Sequence, residues 1–403
     1  MSKEINNKEY RANVIKELLA QLHAGKSVDD VKQQFAEAFD GVSAAEISEA
    51  EQALISDGLP VEEVQRLCDV HASVFKGSIA QIHAAADDSD KPGHPAHTLK
   101  AENRAIESLM DNRIRPHITA LQQGKSVKLQ ELTEDLKALL DIDKHYSKKE
   151  NLIFPYMEKH GITAPPKVMW GVDDEIRAAL KQALSLAQSQ DKDPQQLGEK
   201  MAAVVEKIGE MIYKEENILL PMLFESLSAN EWQSIAEESA EIGFCLISPP
   251  PAWKPADALT SSTQPEAAEK GAITLPTGDL SPKELIKLLD TLPVDITFVG
   301  SDDTVKYFSQ GAERVFARTK AIIGRKVADC HPPASVHIVE GIIEDFKSGK
   351  KTNEDFWIKM GGKYILIRYF AVRSEDGAYL GTLEVTQDIA PIQQISGEKL
   401  LVT

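Results

Sequence analysis

Cysteine is scarce in this chain. Its three copies among 403 residues, Cys68, Cys245 and Cys330, are too few and too scattered for a disulfide framework or a CxxC zinc site. A cytoplasmic location is expected, because thiols stay reduced there. Long apolar runs are missing too. None approaches the ~20 residues that span a bilayer, so no membrane partner is expected. The N-terminus, MSKEINNKEYRANVIKELL, lacks the basic-then-apolar layout of a signal peptide. Positive charge is in deficit, with 45 Lys plus Arg against 63 Asp plus Glu and a net charge of −18. That balance argues against a nucleic-acid partner. Walker loops, dinucleotide glycine fingerprints, GxSxG elbows and histidine-kinase or cyclase segments are not recognisable.

What remains is ordinary globular composition, 42% hydrophobic and 27% charged. The length predicts two to four domains, and the organisation below gives three. Residues 1–86 read as a helical N-terminal domain. Apolar faces repeat at helical spacing over 8–24 and 28–39, Ser43 and Glu46 form a capping-box pattern, and a helix follows Pro60. Residues 87–245 contain four long helical segments, about 95–123, 129–159, 167–190 and 195–225, then a weaker one at 228–240. Short connections between long helices predict an up-down-up-down four-helix bundle. Residues 246–279 are rich in Pro, Ala, Ser and Thr and read as a linker. From 280 to 403 the pattern becomes β-branched and aromatic, with strands at 294–300, 304–309, 356–360, 363–372 and 379–389. Two strands, helices, then three antiparallel strands is the order of an α+β PAS-type sensor domain. The chain is thus expected to be multidomain: all-α, four-helix bundle, then α+β. Its acidity is concentrated in residues 1–279, where 29 basic residues face 46 acidic ones; residues 280–403 hold 16 and 17.

Two bundle helices carry related sequences, KKENLIFPYMEK (148–159) and KEENILLPMLFE (214–225), with Glu150-Asn151…Pro155 matched by Glu216-Asn217…Pro221. KAEN at 100–103 reads as a weaker third copy. Carboxylates and imidazoles on facing bundle helices are how such folds hold two metal ions. His97, His145 and Met211 stand five residues before the repeated Glu, and His94 adds a second imidazole. On an ideal helix, however, i and i+5 are ~140° apart, so His145 and Glu150 do not share a face. Pro95 also allows His94 to be a helix cap and His97 a first-turn surface residue. Both readings stay open.

The segments PGHPAHTLKAEN (92–103), DKHYSKKENLIFPYMEKHGI (143–162) and MIYKEENILLPM (211–222) resemble a hemerythrin-like, HHE-type cation-binding domain. RLCDVHASVF (66–75) resembles the uncharacterised helical domain (DUF438-type) fused ahead of it. ADCHPPASVHIVEGIIEDFKSGK (328–350) and FWIKMGGKYILIRYFAV (356–372) resemble the PAS domain of the same three-part bacterial and archaeal proteins. The resemblance implies a non-haem iron centre, di-iron or mononuclear. It also implies a ligand pattern of His, His-x-x-x-Glu, His and His-x-x-x-Glu on successive helices. His145 and Glu215 match that pattern, whereas Asn103, Lys149 and Met211 stand at ligand positions. Asp173 or Asp174 stands where the third helix carries His, and Glu150 and Glu216 are substitutes. The candidate metal set is therefore His94, His97, His145, Glu150, Glu215, Glu216, Asp173 and Asp174.

In the PAS-like part, Cys330, His331 and His337 concentrate soft and nitrogen donors and are candidate haem ligands. The alternative is packing and capping around Pro332 and Pro333. Ile296, Phe298, Phe316, Phe356 and Tyr369 are the expected pocket or core. The functional expectation is a sensor that couples a non-haem iron site to a PAS domain. It would respond to oxygen, nitric oxide or redox state, with a gas or small-molecule ligand, a protein partner for output and homodimerisation through PAS. The rivals are a di-iron enzyme that reduces oxygen, peroxide or nitric oxide or delivers iron for repair, and a metal-free interaction scaffold.

Overall fold

The computed structural model describes residues 90–189, 193–255, 273–312 and 314–398, together with the isolated positions Val14, Glu17, Gln21 and Lys26. Val14, Glu17 and Gln21 are helical. The rest of the expected N-terminal helices, Cys68 included, lies outside the described residues. The chain divides into two compact units at Ala256/Asp257.

Four helical rods form the core of the first unit. The first is α1 (Pro95–Leu109), a π turn (Met110–Ile114) and α2 (Arg115–Gln122). The second is α3 (Leu129–Leu139), α4 (Ile142–Lys148), a π turn (Lys149–Ile153) and α5 (Phe154–Lys159). The third is α6 (Ala164–Gln188). The fourth is α7 (Pro194–Lys214), a π turn (Glu215–Leu219) and α8 (Leu220–Ser226). Each rod buries one stripe: Leu99, Ile106, Met110 and Ile114 on the first, Ile176, Leu180 and Ala183 on the third, Val204, Ile208 and Met211 on the fourth. Burying such a side chain stabilises by about 1.5–3 kcal/mol. α6 packs on α7 and α3, and α7 on α2, which closes the bundle. α9 (Ala229–Ile242), opened by a Ser228/Glu231 capping box, lies across α1 and α4.

The chain then stays on the bundle. Trp253 is buried, and its ring lies 4.6 Å from that of His94. The first ten residues of the stretch expected as linker thus belong to this unit, held by the buried Trp253 indole while Pro249 and Pro251 stay exposed. Gly93, at φ +94°, permits the approach: a Cβ there would stand 2.2 Å from the Pro251 carbonyl oxygen.

The second unit opens with a hairpin that the sequence reading missed, β1 (Ile273–Leu275) and β2 (Gly278–Leu280). α10 (Pro282–Thr291) follows from a Ser281/Glu284 capping box. An antiparallel sheet comes next: β3 (Asp295–Gly300), β4 (Val305–Phe308), β5 (Asn353–Met360), β6 (Lys363–Arg373) and β7 (Tyr379–Asp388), in the order β4-β3-β7-β6-β5. α11 (Pro333–Lys347) packs on β6 and β7 and buries Phe346. Strand parity divides the expected pocket residues. Thr297, Glu384 and Tyr369 stand in one cross-strand row, and Asp295, Thr386, Ile367 and Phe356 in another on the same face. Ile296 and Phe298 point to the other face. The five aromatic and apolar residues therefore do not line one pocket.

Candidate functional site

Three prolines shape the bundle interior. Pro116, Pro155 and Pro221 each follow a π turn by one residue. Proline lacks an N–H and crowds the carbonyl four residues back, and a widened turn relieves both problems. Counting back from each proline gives Asp111-Asn112, Glu150-Asn151 and Glu216-Asn217. The third copy of the repeat is therefore DNRIRP at 111–116, not KAEN at 100–103. Asn151 and Asn217 each donate an amide N–H to the backbone carbonyl four residues earlier, at 3.0 and 2.9 Å. Widening also changes which side chains face inward. His145, Lys149 and Glu150 are all buried, although an undistorted helix would turn Glu150 away.

These side chains meet in a closed lattice of charges. His145 donates from Nδ1 to Glu102 Oε2 at 2.7 Å and from Nε2 to Glu215 Oε2 at 3.0 Å. Lys149 Nζ donates to Glu215 Oε1 at 2.5 Å and to Asp173 Oδ1 at 2.9 Å. Lys148 Nζ reaches Glu102 Oε1 at 2.6 Å, and the Cys245 N–H donates to the same oxygen at 2.9 Å. Glu102, His145, Lys149, Asp173 and Glu215 are each 0% exposed. The Tyr146 ring lies 4.4 Å from Lys149 Nζ and 5.6 Å from the Arg177 guanidinium carbon.

Three carboxylates face three cations, so the layer is neutral when all six are ionised. Burial opposes these charges; the partners outweigh it at Glu102, His145, Lys149 and Glu215, whereas at Asp173 burial prevails and pushes the carboxyl up from 3.8 to about 6. Glu215 and Glu102 raise His145 from 6.5 to about 9. Lys149 and His145 draw Glu215 from 4.5 down to about 2. Asp173 and Glu215 hold Lys149 above the ordinary lysine value. Three oxygens in this region have no hydrogen-bond partner: Asn103 Oδ1, Asp173 Oδ2 and Tyr146 OH.

Of the eight candidate metal residues, the structure brings His145, Glu215 and Asp173 into this lattice. Glu150 is held by both terminal guanidinium nitrogens of Arg177, Nη1 and Nη2, at 2.7 and 2.9 Å, and Asp174 bonds the same guanidinium at 3.0 Å. Glu216 pairs with Arg104 and accepts from Asn103 Nδ2 at 3.2 Å. His94 caps α1, its Nδ1 accepting from the Ala96 N–H at 3.1 Å, and packs beside Trp232 and Trp253. His97 follows in the first turn. Both stand more than a turn before Glu102, the residue that α1 sends into the lattice. Sequence reasoning missed Glu102, Lys148 and Arg177. Glu102 had a signal: it sits on the Leu99/Ile106 stripe, an acidic side chain on an apolar face.

In the second unit, Cys330 packs against the Val299, Val305, Phe308 and Ile343 core, and its thiol donates to the Lys326 carbonyl at 3.4 Å. His331 is kept neutral: burial, with Arg318 and Arg325 beside it, presses its pKa to about 4. His337 is exposed on α11, whereas Cys330 and His331 are half-buried, so it is not part of an enclosed haem site. Arg318 reaches from the helical side to Glu384 at 3.4 Å, so the inner face of this sheet sets a polar group beside the apolar Val299, Val305 and Phe308 core.

Comparison with known proteins gives three ordered family matches. Residues 15–81 match a family of unknown function, DUF438. Residues 94–223 match the hemerythrin HHE cation binding domain, and 285–390 match a PAS domain. The chain is a three-part DUF438, hemerythrin HHE and PAS protein. No curated protein matches it. Solved structures similar to it include the C-terminal domain of a Streptococcus mutans protein, at 33% identity over 32% of this chain and 100% of that chain, TM-score 0.31. A sensory box sensor histidine kinase from Vibrio cholerae has 18% identity over 26% and 87%, TM-score 0.21. A PAS domain from Colwellia psychrerythraea has 19% identity over 27% and 97%, TM-score 0.22. The joined HHE and PAS domains support a sensory role. Among the described residues no helix is long and apolar enough to cross a membrane.

The HHE family implies a metal, typically iron, yet the donor set in this hemerythrin-like bundle does not fit one. Lys149 brings a positive charge to the carboxylates that a cation would need. His145 has both ring nitrogens committed, to carboxylates on opposite sides, so its donors do not converge with theirs on one point. Met211, buried on α7, offers only a thioether. Among the described residues no three His, Cys, Asp or Glu side chains are grouped to hold a metal ion.

Proposed function

We propose that the chain is a sensory protein that receives its signal in the PAS domain and passes it on by protein contact through a bundle that works without iron. The observation that supports this reading is the bonding of Lys149 to Glu215 and Asp173, beside a His145 with no free ring nitrogen. Such a layer offers oxygen or nitric oxide no coordination site. The PAS inner face, lined by Thr297, Glu384 and Tyr369 with Arg318 opposite, suits a polar small-molecule ligand better than a gas. The test is metal analysis and absorption spectroscopy of full-length protein purified without air from iron-supplemented cells. Little iron, and spectra unchanged by oxygen or nitric oxide, are expected.

The second reading is an iron-dependent sensor or di-iron enzyme. The match to a cation binding domain and the unpartnered Asp173 Oδ2 and Asn103 Oδ1 favour it. It expects stoichiometric iron, with turnover under a reductant if the protein is an enzyme and saturable binding alone if it is a sensor. A haem held by His331 would show instead as a Soret band lost on His331→Ala.

A further inference from the structure

The matched family binds a cation, and this bundle holds one on a covalent tether. We propose that the Lys149 ε-ammonium is the resident cation of the hemerythrin-like domain, filling the place of a metal ion and excluding divalent metals from the carboxylates around it. This rests on the iron-independent reading above and deepens it.

The geometry carries the inference. Lys149 is 0% exposed, an uncommon state for a residue whose charged end seeks water. Its Nζ spans two rods, bonding Glu215 on the fourth and Asp173 on the third. Glu215 also holds His145, which continues to Glu102 on the first rod. One ammonium thus links a chain of ion pairs through all four rods, the cross-linking task that a bound metal ion performs in a bundle. Two further buried oxygens of the bundle have no hydrogen-bond partner: Asp173 Oδ2, on a carboxylate of the lattice itself, and Asn103 Oδ1, one residue after Glu102 on the first rod. They are hard donors, suited to a divalent cation and not to an apolar filler. The site therefore retains cation-binding oxygens while its own lysine occupies the centre.

The experiment compares full-length wild type, Lys149→Met and Lys149→Glu, with Co²⁺ as an absorbing probe and EDTA as the control. Wild type should show no Co²⁺ bands, and its Tm should not move with either reagent. Lys149→Met keeps the length and removes the charge, leaving Asp173 without its ion-pair partner and Glu215 with His145 alone. Its Tm should fall by at least ~5 °C. Lys149→Glu should acquire Co²⁺ absorption bands, with a Tm that rises on adding Co²⁺ and falls on adding EDTA. If that variant is unfolded in buffer, recovery of helical ellipticity on adding Co²⁺ replaces Tm as the readout. A Lys149→Met protein as stable as wild type, or a Lys149→Glu protein indifferent to Co²⁺, overturns the tethered-cation proposal alone. Stoichiometric Co²⁺ binding by wild type overturns it together with the iron-independent reading.

Discussion

The two oxygens of Glu215 face different cations, Lys149 and His145, with no solvent between. Removing that carboxylate leaves Lys149 with Asp173 alone and His145 with Glu102 alone, and gives the buried layer a net positive charge. Glu215→Ala should cost about 3–5 kcal/mol in urea denaturation. Glu216, one residue on, makes the control. It pairs with a mostly exposed Arg104, and Glu216→Ala should cost less than about 1 kcal/mol. Equal losses at the two positions would contradict the assignment of the buried layer. The pH response follows from the same pairs. His145 is raised from 6.5 to about 9, so its stabilisation is complete below 6.5 and is lost as pH rises through about 9. Glu215 is lowered from 4.5 to about 2, so its share is complete above 4.5 and is lost as pH falls through about 2. The denaturation midpoint should therefore decline between pH 7 and 9, and His145→Gln should flatten that limb. At this scale the sequence disclosed Lys149, Met211 and Asn103 as departures from a ligand pattern. It did not disclose what replaced the metal, because Glu102, Lys148 and Arg177 are charged residues whose burial only the folded bundle creates.

Elements were more legible than residues. The four helical segments at 95–123, 129–159, 167–190 and 195–225 emerge as rods with ends shifted by a few residues, because apolar spacing and short polar connections dictate them. The PAS strands were equally readable from their β-branched runs. The register inside the second rod was not. The i, i+5 objection to His145 and Glu150 is sound for an α-helix, but a π turn at Lys149–Ile153 turns both side chains inward. The recurring acidic-Asn…Pro unit marks that turn, and the side chain of Asn151 stabilises it locally. Asn151→Ala should lower stability by about 0.5–1.5 kcal/mol, the worth of one partly buried hydrogen bond; an unchanged midpoint would remove the amide from the account. The proline strap offers a second test. Gly93→Ala places a methyl against the Pro251 carbonyl in a backbone conformation that disfavours a side chain. The strap should lift, exposing Trp253 and shifting tryptophan emission to longer wavelength. Unshifted emission would show that the glycine is not required.

For the molecule as a whole, composition divides the chain in the same sense as the structure. The first 279 residues carry nearly all the excess negative charge, and the last 124 are close to balanced. Part of the acidic excess lies inside the bundle, where it is matched side chain by side chain, so the net charge of the unit gives no count of the carboxylates available to a metal. The PAS unit combines an apolar core of Val299, Val305, Phe308 and Ile343 with polar groups such as Thr297 on the inner sheet face, and leaves apolar side chains such as Trp357 exposed. The account's central claim is that the bundle supplies its own cation. Metal content per chain in full-length protein, purified without air from iron-supplemented cells, tests it most directly. The account predicts far less than one iron per chain and a Tm unchanged by EDTA. One or two tightly held irons per chain, with a Tm that drops when they are removed, would contradict it.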